Sequence, residues 1–356
     1  MHTWGLNSSF SVFLAYYLRE GVFEGATPLV LLAFLSSPIA TALAGWKRVG
    51  TRLTIFIGSI FVSVSFIGAS FATQFWQLLL SQGVSFGVGM GLCFVASAPV
   101  PPQWFTKRRS FANAIAAAGS GFGGLCYSLS TNAMITRLGL PWTFRILAII
   151  AFVVNGAASF FIRDRNASIG SVHIAFNWKL FKRVPFQLFE GWLFLSMLGY
   201  TILVFSIVDY CRSVGLSASE ASLVGALFNM AQGIGRPIIG LSSDKVGRLN
   251  ISMLSGCIVF AILNGAVAGA MWATLAPVCA EVVGLALIPS AMSLTFLVLV
   301  LPATFAEVIG LSLKKSGPRA YLDVQVFTGF MYMGAFAFGW ALRAWKVQEL
   351  EEAHRK

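Results

Sequence analysis

The sequence predicts an all-α membrane protein, two helical bundles joined by a charged linker. Three observations carry that expectation. The chain has 356 residues, 57% hydrophobic and 11% charged, whereas soluble proteins carry about 25% charged residues. A water-soluble globule could not cover its surface with so few charges, and the mean hydropathy of +0.79 agrees. Second, the charges fall mainly in short clusters between long apolar runs, most of which reach the roughly 20 residues a membrane-spanning helix needs. Third, a hydrophilic stretch from Arg163 to Pro185 divides the chain near its middle. The runs are continuously apolar and glycine-rich, not alternating, so they read as packed helices and not as barrel strands.

In order, Thr3–Leu18 reads as a short first span and Gly25–Trp46 as the second. Leu53–Thr106 holds two spans with a polar turn near Thr73-Gln74. Ser110–Thr136 is the fifth and Leu138–Ile162 the sixth, with Arg145 near one end as its only ionic residue. Beyond the linker come Phe186–Val208 with Glu190 near its start, Ala221–Ser243 containing Arg236, Leu249–Ala280, Val282–Ala306 and Tyr321–Trp345. Leu249–Ala280 exceeds one span but falls short of the about 40 residues that two require. The expected count is therefore 11 or 12 helices, with helices 1–2 and 9–10 shortened. The expected units are residues 1–162, a linker at 163–185, a second bundle at 186–345 and a tail at 346–356.

Lysine and arginine set the orientation. With the first helix entering from the cytoplasm, the inner loops hold Lys47, Arg48, Arg52, then Lys107, Arg108, Arg109, the linker cations, Lys245 with Arg248, and the tail; the outer loops hold far fewer. Both termini are expected in the cytoplasm, the protein in the plasma membrane. No cleavable signal peptide is expected, since no Lys or Arg precedes Thr3.

The net charge of +12 does not signal nucleic acid, because no continuous basic stripe exists to track phosphates. Cys93, Cys126, Cys211, Cys257 and Cys279 show no paired spacing and read as small buried hydrophobes. His2, His173 and His354 lie outside the apolar runs, so a metal site or catalytic triad has little to be built from. No cofactor, no metal and no enzymatic activity are expected.

Two loops repeat. GLSSDKVGRLN (Gly240–Asn250) follows the eighth run and LAGWKRVGTRL (Leu43–Leu53) follows the second, with Val49-Gly50 aligned on Val246-Gly247. The pair resembles the Gly-x-x-x-Asp-Arg/Lys-x-Gly-Arg loop of the major facilitator superfamily. That resemblance implies the major facilitator fold, two six-helix bundles, and an ionic latch between bundle ends made by Asp244, Lys245, Gly247 and Arg248. The first copy departs, with Lys47 at the aspartate position; an ordinary basic turn is the alternative reading. WFTKRRSFANAIAAAGSGFGG (Trp104–Gly124) is similar to the signature of monocarboxylate porters at the start of helix 5. There Lys107, Arg108 and Arg109 anchor the helix end, and Ala112, Ala116, Gly119 and Gly123 form a small-residue face for close packing. TWGLNSSFSVFLAYYL, GRPIIGLSSDKVGRLN, MWATLAPVCAEVVGL, LVLVLPATFAEVIGL and YLDVQVFTGFMYMGA resemble helices 1, 8, 10, 11 and 12 of the fungal branch, which includes secondary-metabolite exporters. Against that family the chain lacks an N-terminal extension, which also fits a truncated product.

Arg236 is the leading site residue. An arginine inside a membrane helix costs about 2.5–3.5 kcal/mol on insertion scales and marks a pathway or a partner, and its planar fork matches a carboxylate. Arg236-Pro237 falls on the Arg-Pro of helix 8 in monocarboxylate porters, which implies contact with the substrate carboxylate. A snorkelling arginine near the helix end is the alternative. Where the animal porters carry an aspartate and a helix-1 lysine, this chain has Gln232 and Asn7. With Asn229, these can hydrogen-bond a substrate but carry no proton. Glu281 and Glu307 are then the acids available for proton coupling, although each closes an apolar run and fits a helix-end acid equally well. The expected function is alternating-access movement of a small organic anion across the lipid bilayer, leaning to efflux of an acidic secondary metabolite. Proton-coupled uptake and a non-transporting membrane protein are the competing readings.

Overall fold

The computed structural model describes residues 3–8, 13, 34–213, 215, 217–248, 270–315, 317 and 320–355. Among these every regular element is helical: α1 (Trp4–Ser8), α2 (Ser37–Gly45), α3 (Gly50–Ser70), α4 (Phe75–Trp104), α5 (Arg109–Leu138) and α6 (Leu140–Phe161). After the linker come α7 (Val184–Ser213), α8 (Ala218–Val246), α9 (Ala270–Val283), α10 (Ile288–Leu313) and α11 (Leu322–Arg355). Most of the first expected span and parts of the second and ninth lie outside the described residues, and with them the question of shortening.

Local chemistry sets the helix ends. α8 opens with a capping box: the Ser217 hydroxyl accepts from the Glu220 amide at 3.3 Å while the Glu220 carboxylate accepts from the Ser217 amide at 2.8 Å. It stops at Gly247, whose φ of +107° suits glycine and few other residues. Gly284, at φ +82°, makes the break between α9 and α10, three residues beyond Glu281, which divides the two apolar runs in the sequence. α11 runs on to Arg355 through the expected tail, since Glu, Lys, Gln and Ala are good helix formers that do not end a helix merely by being polar.

Two cores form. Phe66, Phe144, Leu147 and Ala151 fill the first bundle. Phe186, Phe189, Leu275, Met292 and Phe296 fill the second, whose core runs on into Phe34, Leu92 and Val95 of the first. Ile149, Val153 and Phe160 of α6 are exposed; outward apolar faces of this kind suit lipid tails and not water. Arg145 ends this face with its guanidinium 4.9 Å from the Phe71 ring centroid and 5.1 Å from that of Trp142.

The linker is docked rather than loose. On the first bundle the Gln103 side-chain amide donates to Asn166 at 2.8 Å, and Asn166 donates to Thr51 at 3.2 Å. On the second, the Val172 amide donates to the Ala286 carbonyl at 2.8 Å, and the Ser290 and Ser293 hydroxyls donate to the carbonyls of Val172 and Ala175 at 2.7 and 2.8 Å. His173 lies against α2, where a Cβ on Gly45 would come within 2.3 Å of the His173 Cβ. Burial holds the His173 imidazole below its ordinary value of 6.5, partly offset by a Ser171 backbone hydrogen bond and the charge of Asp164. The folded form thus binds fewer protons than the unfolded, and docking weakens as pH falls through about 6.5. Hydrogen exchange at residues 172–175, corrected for intrinsic rates, is expected to rise between about pH 7.5 and about pH 5.5. In His173→Gln that rise is expected to vanish; its persistence would assign the change to another group.

Candidate functional site: a cavity between the bundles

α5 and α8 cross at van der Waals contact because small residues meet there. A Cβ on Gly121 would lie 2.6 Å from both the Asn229 carbonyl oxygen and the Gly233 amide nitrogen. One on Gly240 would lie 2.5 Å from the Ala114 Cβ. The face used is Ser110, Ala114, Ala117 and Gly121, two residues out of step with the face expected from the sequence and so about 160° away from it round the helix. Of that expected set, Ala112 and Ala116 line a cavity, and Gly123 packs on Gly5 of α1, where a Cβ on Gly5 would come within 2.8 Å of the Gly123 Cα.

Beside this crossing lies a cavity of about 910 Å³ lined from both halves of the chain. Arg236 of α8 lines it and is only 3% exposed. Its Nη1 donates to the Ala117 carbonyl at 2.7 Å and to the Ser120 hydroxyl, both on α5. Nη2 donates to Gln232 Oε1 at 2.5 Å and to the Tyr200 hydroxyl at 3.4 Å. Nε has no acceptor among the described residues. Every one of these partners is neutral, and no carboxylate pairs with Arg236 among the described residues. A buried charge held only by neutral dipoles is costly. Among the described residues the two charged side chains in the cavity lining, Arg236 and Arg163, are both cationic. Asn229 and Gln232 also line it; the Asn229 amide donates to the Gly225 carbonyl at 3.1 Å.

The repeated loop forms a latch at the end of the bundles that carries the basic clusters. Both carboxylate oxygens of Asp244 accept from the first amides of α5, Ser110 at 3.0 Å and Phe111 at 2.9 Å, an anion at a helix N-terminus. Arg248 pairs with Asp244 at 3.3 Å and with Glu281 at 2.7 Å, and donates to the Thr106 carbonyl at 3.0 Å. Arg109 donates to the Phe105 carbonyl at 2.9 Å. Lys107, Arg108 and Lys245 are exposed and stand outside these bonds.

Glu281 therefore sits in the latch and not in the cavity, a placement that its position at the end of an apolar run left open. Glu307 is on α10 and Asn7 on α1; their side chains lie outside what is described. Three further residues escaped the sequence. Asn113 of α5 donates to the carbonyls of Trp272 and Ala273 on α9 at 3.0 and 2.8 Å, tying the bundles; a lone amide in a run of Ala and Gly was its one visible signal. Ser120 looks like any small residue of the packing face. Glu190 of α7 is buried at 4% exposure, its Oε1 accepting from Thr295 at 2.5 Å and its Oε2 unpartnered among the described residues.

Known proteins share this architecture. The crystal structure of FucP, a Major Facilitator Superfamily transporter in the outward conformation, superposes with a TM-score of 0.71 over 96% of this chain and 97% of that one, at 11% identity. The "Probable transporter MCH2" of Saccharomyces cerevisiae is 28% identical over 99% of this chain and 82% of its own length. The "Agnestins efflux protein AgnL12" of Paecilomyces divaricatus is 25% identical over 92% and 81%. The Major Facilitator Superfamily profile matches residues 3–311. With the apolar helices and the two-bundle cavity, that match over most of its length makes the chain an integral multi-pass membrane transporter, not an enzyme, and a member of the Major Facilitator Superfamily.

Proposed function

We propose that this transporter is of the monocarboxylate-porter type and exports an acidic secondary metabolite, rocking residues 1–162 against 186–345 in the plasma membrane with both termini cytoplasmic. The observation that carries the anion is Arg236: a buried guanidinium with no carboxylate partner among the described residues, in a cavity whose described charged lining residues are both cationic. A substrate carboxylate displacing Gln232 and Tyr200 from Nη2 takes Nε and Nη2 in one two-bond fork, with Asn229, Gln232 and Asn7 as neutral hydrogen-bonding neighbours. Because Nη1 is bonded across the interface to α5, occupancy of Arg236 and contact between the bundles are coupled, as alternating access requires. Export draws support from the efflux named for AgnL12.

Vesicles preloaded with labelled organic anions test this. Arg236→Ala is expected to weaken anion affinity about 10- to 100-fold, and Arg236→Lys to recover little, since an ammonium lacks the fork. Normal affinity for every transported anion in both variants would remove the assignment. Proton-coupled movement is a second reading, favoured by Glu190, since a buried intramembrane carboxyl with one unpartnered oxygen is a natural proton site. Under an imposed pH gradient, Glu190→Gln is expected to flatten the response, with Glu307→Gln the alternative and Glu281→Gln, held by Arg248, without effect on it. Undiminished gradient dependence in all three variants would dismiss the coupling.

A further inference from the structure

We propose that the cavity selects a planar aromatic carboxylate, its ring system against Trp272 and its acid group on Arg236; this rests on Arg236 holding an anion, the reading given above. The cavity's size is the first reason. At about 910 Å³ it stands near the top of the roughly 300–1,000 Å³ that encloses drug-sized ligands. A three-carbon acid would leave most of it to water.

The wall is the second reason. Trp4, Phe94, Tyr200 and Trp272 all line the cavity and are half-buried. Their centroids lie 5.4 Å apart for Trp4–Trp272, 5.5 Å for Trp4–Phe94 and 6.0 Å for Phe94–Trp272, tilted or edge-on. These are the offset and edge-to-face spacings in which aromatic rings attract, so a flat ring entering the cavity finds both faces and edges to meet. Lipid-facing aromatics are common in membrane helices, but these four face inward, towards a space bounded by both bundles.

Geometry joins this wall to the cation. Tyr200 carries its hydroxyl to Arg236 Nη2 at 3.4 Å and its ring to within 6.5 Å of Trp272, edge-on. The acid group and the ring of the ligand are thus separated by little more than one tyrosine side chain, which fits a carboxylate attached directly to a ring system. A third feature is independent of both. Thr201, in the lining and 4% exposed, has a hydroxyl without a partner among the described residues. A buried unpaired hydroxyl calls for a hydrogen-bonding group on what fills the space, and a ring hydroxyl or carbonyl supplies one.

The test uses the purified full chain in lipid vesicles, with tritiated 2-naphthoate as the bound probe and lactate and 2-naphthalenemethanol as competitors. Naphthoate is expected to bind at least about tenfold more tightly than either competitor. Trp272→Leu is expected to weaken naphthoate about tenfold and leave lactate unchanged, with Trp272→Phe restoring most of the loss. Thr201→Val, which keeps the shape, is expected to weaken hydroxynaphthoates selectively. Equal binding of lactate and naphthoate, both lost in Arg236→Ala, would overturn the aromatic selectivity while leaving the anion site intact. Equal binding of naphthoate and the neutral alcohol, both indifferent to Arg236→Ala, would overturn the anion site and this inference with it.

Discussion

Gly121→Val is expected to abolish transport while leaving each bundle folded. The added Cβ alone would stand 2.6 Å from the Asn229 carbonyl oxygen and the Gly233 nitrogen, and 2.9 Å from the Gly233 Cα. All three are backbone atoms of α8, which cannot rotate aside as a side chain does. Ordinary carbon contacts lie at about 3.5–4.0 Å, so α5 and α8 have to part by about 1 Å, stretching the bonds from Arg236 to Ala117 and Ser120. Overpacking of this kind costs about 1–3 kcal/mol. The whole cost falls on the state in which these helices touch, so the balance between contacting and separated bundles shifts about 5- to 150-fold. Gly240→Val acts alike, against the Ala114 Cβ at 2.5 Å and the Ser110 carbonyl at 2.8 Å. Gly310→Ala is the control, since its nearest neighbour, Ile202 Cγ2, would lie at an ordinary 3.6 Å. A cysteine pair replacing Ser110 and Ser243, whose hydroxyls are 3.3 Å apart, reports the contact. In a background without the native cysteines it is expected to crosslink readily, and poorly once Gly121→Val is added. Full transport and full crosslinking in Gly121→Val would mean that this crossing does not move.

How far such a site could be read from the chain follows from what each part needs. Hydrophobic length alone determines a spanning helix, so α3, α4 and α6 are visible as long apolar runs. Arg236 is visible because a cation in an apolar run is anomalous whatever surrounds it. Its partners are not: Ser120 and the Ala117 carbonyl matter only because α5 crosses α8 there, and a crossing depends on helix rotation that an Ala/Gly run barely constrains. The run from Arg109 to Gly124 offers small residues on every side, and the face chosen was set by its neighbours. Glu281 shows the converse. Its position in sequence, closing an apolar run, suits a proton site or a helix end alike, and only the approach of Arg248 to 2.7 Å places it in the latch. The docking of the linker on Ser290 and Ser293 runs through backbone groups, which every residue possesses and no sequence advertises.

Asp244→Ala is expected to open the basic end of the bundles and slow transport severely, through chemistry unlike that of the glycine wedge. Asp244 satisfies two amides at the start of α5 that have no intrahelical acceptor and sets a negative charge against the positive end of the helix. Losing that cap and its charge costs about 2–3 kcal/mol, a shift of roughly 30- to 150-fold towards separation. Asp244→Asn keeps one accepting oxygen and is expected to fall between. Exchange at the Ser110 and Phe111 amides reads the loss directly, and crosslinking of the cysteine pair reads its consequence. Arg248→Ala should combine with Asp244→Ala less than additively, since Arg248 binds Asp244, Glu281 and the Thr106 carbonyl at once. Lys107→Ala and Lys245→Ala, removing exposed charges, should change little. The first-half loop cannot substitute, because Lys47 stands where an acceptor would be needed and a lysine has no lone pair to offer an amide. Among the described residues Lys47, Arg48 and Arg52 form no ion pair, and Arg52 donates to the Ile162 carbonyl at 2.8 Å within its own bundle. Unchanged exchange at Ser110 and Phe111 in Asp244→Ala would therefore leave the charge-based closure without a residue to carry it.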